Sequence, residues 1–256
     1  MSRIISISLN TFREAVRDRV LYNLVLFVLL IIAAAILLGD LTDGQEARTI
    51  VNFGLNAMLL FGTFISIFVG IGLVSKEIDK RTLYAVFSKP VSRSEFIIGK
   101  YLGLCLTLLS NVLVMGIGVS AALLYVGNRT LAASIWGSIY LIFLELCITT
   151  AVAILFSSFS SPALSALLTF MVFVIGHLSA SLLELSISMN STAATYLFGA
   201  MYYLLPNLAH FSFRTEAANG LIPNASMLLG GAAYAAFYIA ILITLTIVIF
   251  KRRNFK

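Results

Sequence analysis

Long apolar runs separated by short polar breaks set the layout of this chain. The runs cover about Leu21–Gly39, Val51–Val74, Ile97–Val126, Ala133–Phe156, Ala163–Leu183 and Met227–Phe250. An α-helix needs ~20 residues to cross ~30 Å of hydrocarbon, and only helices or closed barrels satisfy every backbone group there. The pattern therefore predicts an all-α polytopic membrane protein with six transmembrane helices. Within the second run Gly62, Ser66 and Gly70 recur every four residues, a small-residue face that lets another helix approach closely. Gly99 and Gly103 form a G-x-x-x-G at the start of the third run, which we read as packing.

The breaks are informative in their own right. Over residues 3–20, Ile5, Leu9, Phe12, Val16 and Val20 fall on one helical face, with Arg3, Arg13, Glu14, Arg17 and Asp18 mostly opposite. That suits an interfacial amphipathic helix lying in the headgroup plane. Asp40, Asp43 and Glu46 follow the first run with a single Arg48. Gly127–Leu131 reads as a short turn, and Ser157–Pro162 as a tight uncharged one. Between the fifth and sixth runs lies a longer segment, 185–226. Its stretch Ala193–Leu205 is apolar and Tyr-rich but only thirteen residues long, and ends at Pro206. It is too short to cross, so it reads as an interfacial or re-entrant helix.

The longest charged break is Ser75–Gly103. It holds nine charged residues, six of them positive: Lys76, Glu77, Asp79, Lys80, Arg81, Lys89, Arg93, Glu95 and Lys100. Ile78, Thr82, Leu83, Val86 and Phe87 recur at helical spacing. Pro90 forbids that helix from continuing and biases Lys89 toward extended backbone. Ser92 and Glu95 match the S-x-x-E capping box, so a new helix opens at about Arg93 and leads into the membrane. The segment 75–96 thus reads as a short helix, a proline break and a capped re-entry.

Composition agrees. The chain has 256 residues, 60% hydrophobic and 11% charged, where soluble domains carry roughly 25% charged residues. No polar stretch is long enough for a soluble core of its own, so a single transmembrane domain spans 1–256. The net charge of +6 does not point to nucleic acid, because its sources cluster on one side of the membrane. With six spans and both termini inside, fourteen Lys and Arg fall on the cytoplasmic side and three, Arg48, Arg129 and Arg214, on the exterior. That asymmetry is the positive-inside pattern of a multi-pass plasma or inner membrane protein. Cys105 and Cys147 both fall within predicted spans, so a disulfide framework is not expected.

Two ionisable residues sit deep in predicted spans: Glu145 near the middle of the fourth and His177 in the second half of the fifth. A charge at the centre of a span costs at least ~2.5–3.5 kcal/mol, so each should face protein or a polar cavity. They are candidates for a translocation path or for a pair, against the plainer reading of a structural hydrogen bond between helices. Met115, Met171, Met189, Met201 and the two cysteines show no metal-ligand spacing. No G-x-x-x-x-G-K-[ST], G-x-S-x-G or H-E-x-x-H is present. The chain therefore carries no nucleotide-binding motif and no cofactor site, and is not expected to be an enzyme.

Glu77, Thr82, Leu83, the run Ser88-Lys-Pro-Val-Ser-Arg93 and the pair Gly99-Lys100 resemble the cytoplasmic segment of ABC type-2 exporter permeases. With Arg81 where the usual pattern has Gly, the segment is most similar to the branch of the nitrous-oxide-reductase maturation exporter membrane subunit. The resemblance implies a coupling helix between spans two and three that docks on a separate cytoplasmic ABC ATPase. In that role Glu77, Lys80 and Arg81 would make polar contacts, and Leu83 and Phe87 would fill an apolar groove. ATP and Mg would sit on the ATPase, and two permease subunits would pair. Two other readings stay open: a membrane scaffold or assembly factor that moves no substrate, and a proton-coupled carrier using Glu145 and His177. Substrate identity lies beyond the sequence.

Overall fold

The computed structural model describes residues 2–17, 21–39, 44–79, 92–188 and 192–252, and every regular element among them is helical. The first helix, α1 (Ser2–Ala15), is followed by α2 (Leu21–Gly39), α3 (Glu46–Asp79) and α4 (Arg93–Tyr125). A short α5 (Arg129–Ser134) leads into α6 (Trp136–Ser157), and α7 (Pro162–Ser188) and α8 (Thr192–Leu204) follow. A 3-10 turn (Leu208–Phe211), a short α9 (Arg214–Ala218) and the long α10 (Ala225–Arg252) complete the order.

Among the described residues, five stretches are long and apolar enough to cross a membrane: α3 over Glu46–Gly72, α4, the α5–α6 run Arg129–Ser157, α7 over Pro162–Ser179, and α10. The nineteen residues of α2 carry no charged side chain, and at 1.5 Å per residue they span about 29 Å. This is the layout of a multi-pass membrane protein. The 34 residues of α3 and 33 of α4 make helices about 50 Å long, well beyond the ~30 Å of hydrocarbon. Lys76, Glu77 and Asp79 end α3, and Arg93, Glu95 and Lys100 begin α4. Much of the surplus length therefore borders residues 80–91, at what we call the basic end.

The central helix is α6, which packs on α3, α4, α7 and α10. Its apolar residues are spread around its whole circumference, as suits a helix enclosed by others. Its Leu141, Ile142, Leu146, Ile148, Ala151 and Ile154 are buried. The small-residue face of α3 is what reaches it. Gly62 lies directly against Leu146, Ser66 Oγ donates to the Leu146 carbonyl at 3.5 Å, and a Cβ at Gly70 would meet Ala153 Cβ at 3.4 Å. Small residues at i, i+4 and i+8 let dispersion contacts act at short backbone separation, which is the main attraction between helices where lipid replaces water.

A different face of α1 from its apolar stripe meets the protein. Ser8, Thr11 and Ala15 are buried, while Ile5 and Leu9 are 55% and 45% exposed. The buried face lies on α4 over Gly99 and Gly103: a Cβ at Gly103 would stand 2.6 Å from the Ser8 carbonyl oxygen, and one at Gly99 would stand 2.7 Å from Ile7 Cγ2. The G-x-x-x-G is thus the seat of the N-terminal helix, and of the apolar stripe Ile5 and Leu9 are left exposed while Phe12 and Val16 are half-buried. Val20 lies outside the described residues.

Elsewhere the structure departs from the sequence expectations at the turns. The break at 127–131 is shorter than expected. Gly127, at φ +86, reverses the chain, and Asn128 caps α5, its Oδ1 accepting from the Leu131 N–H at 3.1 Å. The fifth span continues past Leu183 to Ser188. The thirteen-residue helix forms as α8, but residues 205–224 fold back onto the bundle, burying Leu208, Phe211, Ala217 and Ala218. They bury apolar side chains that, in a polar loop, would stay in water.

Candidate functional site

Glu145 lies nine residues into α6 and His177 fifteen residues into α7, which places them about 14 Å and 22 Å along their helices from opposite entries. Both lie well inside their helices, and they meet there. Glu145 Oε1 is 3.1 Å from His177 Nε2, with Glu145 fully buried and the His177 side chain 20% exposed. The contact is close but off the line of a formed hydrogen bond, and neither carboxylate oxygen has another donor. His177 Nδ1 sits 3.1 Å from the Phe173 carbonyl oxygen one turn back, and its ring lies 4.6 Å from the Phe173 ring. A carbonyl only accepts, so Nδ1 carries a hydrogen and Nε2 is the nitrogen turned to Glu145.

The surroundings hold the two helices in this register. Leu146, next to Glu145, is clamped against Gly62 and Ser66 of α3. Gly176, next to His177, admits the returning chain: a Cβ there would stand 2.7 Å from the Pro206 carbonyl oxygen. Asn207 then pins that turn. Its Oδ1 accepts from Ser179 Oγ at 2.8 Å and from the Ala209 N–H at 3.2 Å, and its own N–H donates to Tyr234 OH at 2.8 Å. Tyr238 OH donates to the Leu204 carbonyl at 3.3 Å. Beyond the turn, Arg214 donates from Nη2 to Ser212 Oγ at 3.4 Å, while its Nη1 is buried without a hydrogen-bond partner. Pro206, Asn207, Gly176 and Arg214 have no periodic signature in the sequence.

At the basic end, Ser92 and Glu95 form the complete capping box. Ser92 Oγ accepts from the Glu95 N–H at 3.2 Å, and the Ser92 N–H donates to Glu95 Oε2 at 2.8 Å. Arg93 Nη1 donates to the carbonyls of Phe250 and Lys251 at 2.9 and 3.0 Å, capping the C-terminal turn of α10. The Phe96 and Phe250 rings stack beside it at 6.1 Å. Lys100, almost fully buried, reaches Glu14 of α1 at 3.6 Å. The ends of α1, α4 and α10 are therefore tied into one anchored platform at the start of α4. Of the coupling candidates, Glu77 lies within α3, two residues before its end at Asp79, whereas Lys80, Arg81, Leu83 and Phe87 lie outside the described residues.

Among the described residues no group of three or more His, Cys, Asp and Glu side chains gathers to hold a metal. Cys105 and Cys147 are free thiols, with Tyr101 OH donating to the Cys147 carbonyl at 3.3 Å. At the opposite end two clefts open between the helix turns. One, of ≈ 470 Å³, is lined by Glu46, Asn128 and Arg129 among others; the other, of ≈ 620 Å³, by Arg48, Ser134 and Asn219. Neither is lined by the buried pair. No curated protein matches the chain. The model of the ABC-2 family transporter proteins matches residues 5–255, so its span covers the helices that carry the buried pair, the anchored platform and the segment between α3 and α4, and the chain belongs to that family.

Proposed function

We propose that this chain is the permease subunit of an ATP-driven ABC exporter. In this reading α2, α3, α4, α6, α7 and α10 are the six spans, and both termini and the basic end face the cytoplasm. Residues 75–96 are the coupling segment. It docks on a separate ABC ATPase, which binds the ATP and Mg, and two permease subunits pair, as copies of this chain. ABC-2 permeases work with such a partner, and the family match carries the reading.

The helix lengths give it a physical form. The surplus of α3 holds the coupling segment clear of the hydrocarbon, and the α4 side is tied to α1 and α10. Closure of the ATPase then tilts α3, and the Gly62–Ser66–Gly70 face passes that tilt to α6. A rigid helix with two arrangements, both biased by the partner, is what such coupling requires. Glu145 and His177 line the path that this motion opens. By analogy with the branch that the run Ser88–Arg93 resembles, the substrate is a sulfur or metal species, with lipid, peptide and drug export as the alternatives.

The test is purification of the tagged chain from its native membrane in mild detergent, with mass spectrometry of what accompanies it. The expected result is a stoichiometric ATPase with a phosphate-cradling P-loop, lost when residues 77–87 are scrambled. Charge reversal at Glu77 or Arg81 is expected to leave ATP hydrolysis intact while transport falls. A chain that purifies without an ATPase, or full transport in both reversed variants, overturns the reading.

A further inference from the structure

We infer that α1 is a docking surface for an anionic phospholipid, whose acyl chains lie along the apolar stripe and whose phosphate meets the arginines. The helix carries a protein face, an apolar face and a cationic face. Ser8, Thr11 and Ala15 are buried, with Ser8 and Thr11 over Gly103 of α4. Ile5 and Leu9 are exposed, in line with the half-buried Phe12 and Val16. Arg3, Arg13 and Arg17 are exposed as well. At 3.6 residues per turn, the stripe lies about 100° round the helix from the buried face, and the arginines about 110° further on. The apolar stripe therefore runs between the protein and the cations, with Arg13 beside it.

Charge selects the occupant. Glu14 is the acid of α1, and its Oε2 lies 3.6 Å from Nζ of the almost fully buried Lys100. Glu95 is the acid of α4, and its Oε2 accepts from the Ser92 N–H at 2.8 Å and from Ser92 Oγ at 2.9 Å. Both carboxylates are thus committed inside the fold, and α10 contains no acid. Lys251 and Arg252 are exposed on the last turn of α10, which Arg93 holds to the start of α4, and add positive charge at the same end. The partner is therefore anionic. A nucleic acid or a soluble anion would leave Ile5 and Leu9 in water, whereas an anionic lipid covers the stripe and neutralises the arginines together. Interfacial helices bind through this sum of buried apolar area and attraction to anionic headgroups.

The test titrates the purified full chain, stripped of native lipid in mild detergent, with phosphatidylglycerol and with phosphatidylcholine. Thermal unfolding and lipid adducts in native mass spectrometry read the binding. Phosphatidylglycerol is expected to raise Tm and to stay bound where phosphatidylcholine does not, and added salt is expected to weaken the effect. Arg13→Gln and Arg17→Gln, both at exposed positions, should each weaken phosphatidylglycerol binding by roughly fivefold. Leu9→Ser should weaken it too, through the acyl chains. Arg48→Gln and Arg129→Gln, at the opposite end, are the controls and should bind as the wild type does. Glycerol phosphate, a headgroup without chains, should leave Tm unchanged. Equal binding of the two lipids, wild-type binding in Arg13→Gln/Arg17→Gln, or equal stabilisation by glycerol phosphate overturns the inference. So does an Arg13→Gln/Arg17→Gln protein that keeps the lipid but loses a co-purifying ATPase, because the surface then belongs to that subunit. The titration needs no ATPase, so a chain that purifies alone would refute the permease reading and leave this result untouched.

Discussion

Replacing Gly103 with alanine tests whether the N-terminal helix is seated on α4 as described. The added methyl would stand 2.6 Å from the Ser8 carbonyl oxygen and 2.6 Å from Thr11 Cβ, where ordinary contact begins near 3.4 Å. One obstacle is backbone and the other is a fully buried side chain, so α1 must shift outward by the 0.8 Å between those distances. Overpacking of this kind costs ~1–3 kcal/mol, and the better helix propensity of alanine returns up to ~1 kcal/mol. The net loss is on the order of 1–2 kcal/mol, or roughly 2–8 °C in Tm for a chain of this size. Gly230→Ala is the internal control. Nothing lies within 4 Å of a Cβ at that position, so its Tm should hold or rise. Thermal unfolding of the purified chain in mild detergent reads both variants. Maleimide labelling of Ser8→Cys, added to each background, should be slow with Gly103 and fast with Gly103→Ala. A Gly103→Ala protein with the wild-type Tm and a still-protected position 8 would refute the packing of α1 on the G-x-x-x-G.

Arg93→Ala removes two charge-assisted hydrogen bonds to the last turn of α10. Hydrogen exchange in residues 246–252 should accelerate by roughly an order of magnitude, about 1.5 kcal/mol for such bonds; equal exchange in both proteins would show that the cap contributes nothing. Asn207→Ala deletes the acceptor shared by Ser179 and Ala209 and leaves the backbone bond to Tyr234 intact. The 205–211 turn should then be cut several-fold faster in limited proteolysis, with a Tm loss of ~1–2 kcal/mol equivalent, and an unchanged cleavage rate would remove Asn207 from its pinning role.

How much of this was legible beforehand differs by residue. The expected interval of the first span, Leu21–Gly39, is the helix found. The Ser92 and Glu95 pair was readable because a capping box is local: three residues of separation bring both partners together once the helix starts. The Gly62–Ser66–Gly70 face was recognisable as a packing surface, but its partner was not. Periodicity names the face of one helix and is silent on which helix meets it. For α1 the apolar stripe was clear, yet the face that meets α4 carries Ser8, Thr11 and Ala15. In a bilayer the apolar stripe has lipid to bury it, so size rather than hydropathy selects the face against protein.

By itself, then, the sequence determined the helical class, the apolar lengths, the caps and the charge asymmetry. Each depends on residues within a few turns of one another or on a solvent the whole chain shares. Only the tertiary structure decided that Glu145 meets His177 at 3.1 Å, that Arg93 caps a helix 157 residues away, and that residues 205–224 return to the bundle and bury Leu208, Phe211, Ala217 and Ala218. These are contacts between helices whose order and rotation are set by shape complementarity of small and large side chains. No local pattern encodes that fit, because it exists only when both surfaces are present.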